Sequence, residues 1–340
     1  MRNCLARLVG VATLALGHAA MAADWSVEAV ALPGEVAAVF EDQGRTVART
    51  RSGAYFQLGL NDDGTLRVTR LGSYEPAKRH RRPDMLPDGL IGTGSGTIQE
   101  AYLVGPTSRY RHGVMGDAIE AAGLRVLTRD GETLEFRLPS DSVFEDLLPR
   151  LHDVDGDGDD EIVVVRSYLK AGAAVAVFGV REGKLVLLAE TAPIGRANRW
   201  LNPIGVADFD NDGRPEIAVV KTPHIGGILE FYELENGTLK TDATGRAYSN
   251  HFIGSRDLFL SRIVDIDGDG VPDVALPSAD RGALRFVGVD GAKIKDLGTA
   301  ALPARVQTNM LAIDAKTSAF AFGLANGALA IVQPRRGAVP

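Results

Sequence analysis

The amino-acid sequence predicts an all-β protein built from repeated four-stranded units. Short segments in which apolar and polar residues alternate recur along the chain, and glycine-containing turns separate them. No segment of helical periodicity and useful length lies between them. The alternating segment that follows a glycine occurs six times, after Gly53, Gly123, Gly172, Gly227, Gly282 and Gly327.

An acidic motif repeats inside this pattern. DVDGDGDDEIVVV begins at Asp153, DFDNDGRPEIAVV at Asp208 and DIDGDGVPDVALP at Asp265, so successive copies start 55 and 57 residues apart. A fixed period of this size indicates repeated supersecondary units. Four antiparallel strands in each unit are typical of the blade of a β-propeller. Together with the six glycine-led segments, this predicts a six-bladed β-propeller.

The predicted blades cover approximately residues 34–75, 85–140, 147–193, 201–245, 258–300 and 305–335. The last of these has room for only three strands. The alternating segment at residues 25–32 precedes the first blade, and we expect it to complete the last blade and close the ring. Closure matters because an open end leaves unpaired strand edges, which favour aggregation.

Residues 1–22 have the features of a secretory signal peptide: Arg2 and Arg7, a short apolar run, and the small-residue pattern Ala20-Met21-Ala22. The apolar run is too short to span a membrane, and no later segment qualifies. We therefore expect residues 23–340 to form a single domain that is periplasmic or secreted. The single cysteine, Cys4, lies within the signal, so no disulfide is expected in the mature chain.

The charge of the chain bears on its partners. The formal net charge is −7, which argues against a nucleic-acid partner because such binding depends on Lys and Arg meeting phosphate. The one basic run, residues 78–82, is expected to be a solvated loop.

The three acidic motifs share the pattern D-x-D-x-D-G-x-x-[DE]; we call them loop one (153–161), loop two (208–216) and loop three (265–273). Carboxylate oxygens in this number are the ligands that calcium prefers, and the sequence predicts about three Ca²⁺ ions. The seventh residue varies, as expected if only its carbonyl is used. The predicted metal-site residues are Asp153, Asp155, Asp157, Asp159 and Glu161, then Asp208, Asp210, Asp212, Arg214 and Glu216, then Asp265, Asp267, Asp269, Val271 and Asp273.

Two other interpretations of these loops are weaker. An EF-hand begins with the same residues but needs a glutamate at position twelve, where this chain has Val164, Val219 and Leu276. A hydrophilic turn with accidental acids does not explain why four acids and one glycine recur three times at one period.

This arrangement resembles the FG-GAP and VCBS repeats of calcium-binding β-propellers, known from integrin α-subunits and many exported bacterial proteins. The resemblance is specific over residues 153–276. It implies that each loop joins the first and second strands of a blade and that the ion ties this hairpin together. The corresponding segments depart from this motif, since blade one keeps only Glu41-Asp42-Gln43-Gly44, blade two has Gly92–Gly96 and blade six has Asp314-Ala-Lys-Thr, and no ion is expected there.

A second set of candidate residues falls in the loops expected on the propeller face opposite the acidic loops. Imidazole, guanidinium, carboxylate and indole groups there could bind a sugar or a carboxylated ligand, perform acid–base chemistry, or only hydrogen-bond neighbouring loops. The candidates are Arg109, Tyr110, His112, Arg199, Trp200, Asn202, His224, Asn250, His251, Arg256, Asp280 and Arg281.

The leading functional prediction is a non-catalytic, calcium-stabilised scaffold that presents this face to a protein or a glycan. The alternative is a carbohydrate-active lyase or hydrolase that uses residues of the same face, namely His112, His224, His251, Tyr110, Arg256 or Arg281. The sequence contains no metalloprotease, serine-hydrolase or phosphate-loop motif that would decide for an enzyme.

Overall fold

The computed structural model describes residues 12–14, 25–313 and 318–335. Every regular element within these residues is a β-strand, and paired strands run antiparallel. The prediction of an all-β fold is confirmed. The described part of the chain contains no helix that is long and apolar enough to cross a membrane. The predicted signal peptide lies outside the described residues, apart from residues 12–14.

The chain divides into two compact units. The terminal unit comprises Met1–Lys78, Asp257–Gly288 and Lys295–Pro340, and the central unit comprises Arg79–Arg256 and Val289–Ile294.

One sheet of the terminal unit joins the two ends of the described chain. Its spatial order is β1-β2-β26-β25-β24. The predicted N-terminal strand pairs with the last strand, from Trp25 opposite Pro334 to Val30 opposite Leu329. The strands are β1 (Ala12–Leu14), β2 (Trp25–Ala31), β24 (Leu311–Ala312), β25 (Phe320–Gly323) and β26 (Leu329–Pro334).

Two further sheets each contain four consecutive strands in sequential order. The first is a meander of β3 (Val36–Asp42), β4 (Arg45–Thr50), β5 (Tyr55–Leu60) and β6 (Leu66–Leu71). The second contains β20 (Arg262–Val264), β21 (Asp273–Pro277), β22 (Ala283–Asp290) and β23 (Lys293–Ala301). Inward-facing apolar residues of β3–β6 pack with those of β2, β25 and β26 in one core that includes Val30, Phe56 and Ile331.

The central unit contains a nine-stranded sheet and a four-stranded sheet. The strands of the larger sheet are β7 (Gly92–Thr93), β8 (Ile98–Thr107), β9 (Glu120–Thr128), β10 (Thr133–Arg137), β11 (Ser142–Phe144), β12 (Arg150–His152), β13 (Glu161–Tyr168), β14 (Gly172–Arg181) and β15 (Lys184–Glu190). The smaller sheet contains β16 (Leu201–Ala207), β17 (Glu216–Lys221), β18 (Ile228–Glu235) and β19 (Thr238–Arg246).

The nine-stranded sheet contains two of the predicted four-stranded units, β7–β10 and β12–β15. The short strand β11 joins them, because it pairs with β13 through Ser142–Phe144 and with β9 at Ala121. The sequence analysis did not predict β11. Strands β13 and β14 are almost entirely buried, which suits their runs of valine, isoleucine and alanine.

Candidate functional site: the acidic loops

Each acidic loop connects two strands that pair directly with each other. Loop one lies between β12 and β13, loop two between β16 and β17, and loop three between β20 and β21. The ninth residue of each loop is the first residue of the second strand: Glu161 pairs with His152, Glu216 with Ala207, and Asp273 with Val264.

The three loops use the same backbone contacts. The first aspartate accepts hydrogen bonds from two backbone N–H groups farther along its loop. The ninth residue accepts one from the backbone N–H of the second, at 3.1, 2.7 and 2.8 Å in loops one, two and three. The sixth residue has φ of 89°, 91° and 84° in the three loops. This left-handed conformation explains why Gly158, Gly213 and Gly270 stand there.

An apolar second residue fixes each loop to the protein interior. Val154 and Ile266 are 2% exposed, and Phe209 is fully buried, with its ring 4.9 Å from that of Phe231. The loop backbone is therefore held in place by packing as well as by hydrogen bonds. The acids on either side of the second residue consequently have little freedom to move apart.

Loop two brings together the largest group of acids. One oxygen from each of Asp208, Asp210, Asp212 and Glu216 lies within 4.8 Å of the others. Burial, followed by the charges of Asp210 and Asp208, raises the pKa of Glu216 to about 8. Asp242 on β19, which the sequence analysis missed, is close enough that Asp210 and Asp212 add to the effect of burial in raising its pKa.

In loop one the grouped acids are Asp153, Asp155 and Glu161. Arg181, at the end of β14, was not anticipated. Its Nη2 atom lies 2.8 Å from Asp155, 3.1 Å from Glu161 and 3.6 Å from Asp157. A single guanidinium nitrogen thus contacts three acids of the loop, and it partly offsets their mutual repulsion.

In loop three the grouped acids are Asp265, Asp267 and Asp269. Lys295 on β23 contacts Asp267 at 2.8 Å, which lowers the pKa of this aspartate. Asp273 is 4% exposed, and burial, followed by the charges of Asp267, Asp269 and Asp265, raises its pKa to about 7.

The donors in these loops fit a hard cation. They are carboxylate oxygens, several converge on one small volume, and the pKa values of the buried Glu216 and Asp273 are raised because burial and the neighbouring acids disfavour their charged forms. Each of the three groups could hold a metal ion. A divalent ion would bind to the carboxylates of each group and neutralise charge that the nearby basic residues offset only in part.

Comparison with known proteins agrees with this geometry. Residues 153–219 match the FG-GAP-like repeat. The match covers loop one, loop two and the strands between them. The chain matches no curated protein.

The segments that were expected to bind no ion differ from the acidic loops. Asp42 at the β3–β4 turn bonds Tyr74 and the backbone N–H of Ala77. The glycine-rich segment Gly92–Gly96 approaches loop one instead, where Ser95 donates to Asp160 and the N–H of Thr97 to Asp159. The segment from Asp314 to Thr317 lies outside the described residues.

Candidate functional site: the predicted ligand face

Ten of the twelve candidate ligand-face residues belong to the central unit. Asp280 and Arg281 belong to the terminal unit, where Asp280 accepts hydrogen bonds from the Ser278 hydroxyl and the Gly282 N–H. In the central unit, Arg109 donates to the carbonyls of Pro139 and Ser142, and Arg199 donates to that of Asn198.

A buried carboxylate organises part of this region. Glu145 is fully buried and follows directly after β11. Its Oε1 atom lies 2.7 Å from His112 Nδ1, its Oε2 atom accepts from the Ser167 hydroxyl, and its carbonyl accepts from Trp200 Nε1 at 2.9 Å. Burial raises the pKa of Glu145, although its bonds to His112 and Ser167 oppose this. The sequence analysis did not identify Glu145.

Trp200 also contacts two histidines. Its ring lies parallel to that of His224, with centroids 6.2 Å apart, and at 62° to that of His251, with centroids 4.7 Å apart. His251 Nε2 donates to the Ser255 carbonyl at 3.0 Å, so His251 Nδ1 accepts from His224 Nε2 at 2.9 Å when His251 is neutral.

Most of these candidates are interior residues. Trp200 is 2% exposed and His251 1%. Asn202 and Asn250 are fully buried and each donates to the backbone carbonyl of the other. The Tyr110 hydroxyl accepts from the N–H of Asn198, and burial raises the pKa of Tyr110 to about 12. Their polar groups hold adjoining loops together.

Arg256 lies in a different setting, at a pocket in the central unit. It bonds Asp88 through Nε and Nη2 at 2.9 and 2.6 Å, and Asp117 through Nη2 at 2.8 Å. All three side chains are 41–45% exposed. Glu120, the first residue of β9, lines the same pocket but is only 1% exposed.

The buried carboxyl group of Glu120 is expected to make the stability of the folded protein depend on pH. Burial, followed by the charges of Glu145, Asp117 and Asp146, raises its pKa from 4.5 to about 9. Between these values the unfolded chain ionises while the folded chain keeps its proton, so stability falls as pH rises. Glu120→Gln removes this pH-dependent loss of stability. We expect the free energy of unfolding of the variant to rise relative to that of the wild type by about 1.4 kcal/mol for each pH unit within this window.

Urea unfolding at several pH values between 5 and 8 measures this difference. The control is Glu132→Gln, the same change at an exposed glutamate of the central unit. A difference between Glu120→Gln and the wild type that stays constant with pH would show that Glu120 ionises normally.

Proposed function

We propose that the chain is an exported calcium-binding β-propeller that acts as a non-catalytic scaffold for a protein or glycan partner. The observation that carries this proposal is the repeated geometry of the acidic loops. Each joins two paired strands and gathers at least three carboxylates within 4.8 Å. Oxygen donors in this number favour calcium over magnesium, which prefers fewer carboxylates and several waters.

Support for the propeller comes from the strand groups. The described residues contain five consecutive groups of four strands, β3–β6, β7–β10, β12–β15, β16–β19 and β20–β23. A sixth group forms from β24, β25 and β26 together with β2 from the other end of the chain. Four-stranded antiparallel groups are the building blocks of propellers, and a strand contributed by the N-terminus is a means of closing the ring.

The contacts of the candidate residues argue against the lyase or hydrolase alternative. His112 and His251 bond to protein groups, and His251, Trp200 and Tyr110 are buried. A catalytic acid or base has to reach the substrate within hydrogen-bond distance. These residues instead hold neighbouring loops together.

Calcium stoichiometry tests the proposal. We expect isothermal titration of metal-free protein to give three ions for the wild type and one fewer for Glu216→Gln. The amide oxygen of glutamine can still accept from the Phe209 N–H, so the loop is kept while its buried charge is lost. Asp62→Asn, in an exposed Asp-Asp-Gly turn, is the control and should leave the stoichiometry unchanged. Wild-type protein that takes up no calcium would refute the proposal.

A further inference from the structure

The strongest unexplained feature is the carboxyl group of Glu120. Its side chain is 99% buried, since only 1% of the residue is exposed, and its Oε2 atom has no hydrogen-bond partner. Buried carboxyl oxygens are normally hydrogen-bonded, and an unpartnered one destabilises the folded state. The residue nevertheless lies among those that line a pocket.

The charges around this pocket favour a cation. Its lining includes the carboxyl groups of Asp88, Asp117 and Glu120 and one basic residue, Arg256. Both aspartates already bond Arg256, so its guanidinium offers no obvious counter-charge to Glu120. After burial, the largest contributions that make Glu120 hold a proton so tightly come from other acids. The same surroundings would attract any small cation that can replace the proton.

The size and walls of the pocket narrow the choice of cation. Its cavity volume of about 10 Å³ leaves room for about one water-sized group. An ammonium group is compact and has three donors, whereas a guanidinium is a larger planar fork. Leu86, Met115 and Leu147 give the pocket apolar walls, and Ile119 at 42% exposure adds apolar surface. An alkyl chain attached to the ammonium could pack against them.

We propose that this pocket binds the primary ammonium group of an aliphatic amine, with the carboxyl group of Glu120 as its buried acceptor. The amine is either the side chain of a lysine on a partner protein or a free alkylamine, because both present the same head group. This inference names a ligand class for the binding role proposed above. It does not depend on calcium, so either proposal can fail without the other.

The test uses n-butylammonium chloride with calcium-supplemented full-length protein at pH 8, measured by isothermal titration or saturation-transfer NMR. Hydrogen bonds to charged groups are stronger than those to neutral groups, so we expect Glu120→Gln to weaken binding about tenfold or more. n-Butanol has the same alkyl chain and no charge. It should bind the wild type at least as weakly as n-butylammonium binds Glu120→Gln. Glu132→Gln, at an exposed glutamate, should bind like the wild type.

Two outcomes overturn the inference: wild-type protein that does not bind n-butylammonium, or Glu120→Gln that binds it as tightly as the wild type does. A melting curve establishes that Glu120→Gln is folded. If it is not, Glu120→Asp replaces it, because the shorter side chain moves the carboxyl group away from the ligand, and unchanged affinity again overturns the inference.

N-acetyl-lysine amide identifies the source of the amine. Binding at least as tight as that of n-butylammonium supports a lysine side chain on a partner. Binding of n-butylammonium alone supports a free amine, because the lysine backbone is then too bulky for the mouth of the pocket.

Discussion

Removal of calcium by EDTA is expected to lower the free energy of unfolding by about 8 kcal/mol, if three independent sites are each at a hundredfold excess of free calcium over Kd. Each site then contributes about 2.7 kcal/mol, because calcium binds the folded loops and not the unfolded chain. For a chain of this length, such a change corresponds to a fall in Tm of roughly 10 °C. Thermal unfolding by circular dichroism, with EDTA and then with calcium restored, measures it.

The control for this experiment is the triple variant Glu161→Gln, Glu216→Gln and Asp273→Asn. It neutralises the ninth residue of every loop but retains an oxygen that can accept from Val154, Phe209 and Ile266. We expect EDTA to lower the Tm of the triple variant much less than it lowers that of the wild type. A wild-type Tm that is the same in calcium and in EDTA would contradict a stabilising role for the ions.

The features that could be predicted from sequence are those that repeat. The acidic loops were identifiable because four acids and a glycine recur with the same spacing, and the structure places each loop between paired strands. The pairing of the N-terminal strand with the last strand followed from the need of a three-stranded unit for a fourth strand. Strand β11 has no counterpart in the repeat and is only three residues long, so no periodicity marked it.

Residue type alone could not show which of the polar candidate residues are buried. Trp200, His251 and Asn202 carry polar groups in segments expected at one face of the propeller, where ligand binding, acid–base chemistry and hydrogen bonding to neighbouring loops were all possible from sequence. The structure buries them because their polar atoms find partners in neighbouring loops. A sequence cannot show such pairing, since the partners lie up to 55 residues away.

The acids that matter most outside the loops were missed for a related reason. Glu120 opens the strand EAAGLRVLT, and Glu145 follows the short strand SVF and precedes Asp146, so each is a charge at the end of a strand. A charge at a strand end usually faces solvent. Only the tertiary structure shows that Glu145 meets His112 and Ser167, whereas the Oε2 atom of Glu120 meets no donor.

Replacement of Trp25 by alanine is expected to lower the free energy of unfolding by about 3–5 kcal/mol, the usual cost of truncating a large buried aromatic side chain. Trp25 begins β2, is 3% exposed and lies 6.4 Å from the ring of Phe320. Its indole N–H donates to the carbonyl of Ile266, the buried second residue of loop three, at 2.5 Å. The N-terminal strand therefore braces this acidic loop as well as pairing with β26.

Trp25→Phe separates these two roles, because it keeps most of the packing and removes only the donor. We expect it to cost about 1–3 kcal/mol, since the Ile266 carbonyl is then left without its partner in a buried position. If the loops bind calcium as proposed, loop three should also bind it more weakly in this variant, whereas loops one and two should be unaffected. Urea unfolding and calcium titration of the two variants measure both effects. If Trp25→Phe weakens no site and Trp25→Ala unfolds at the same urea concentration as the wild type, the strand neither braces loop three nor stabilises its sheet.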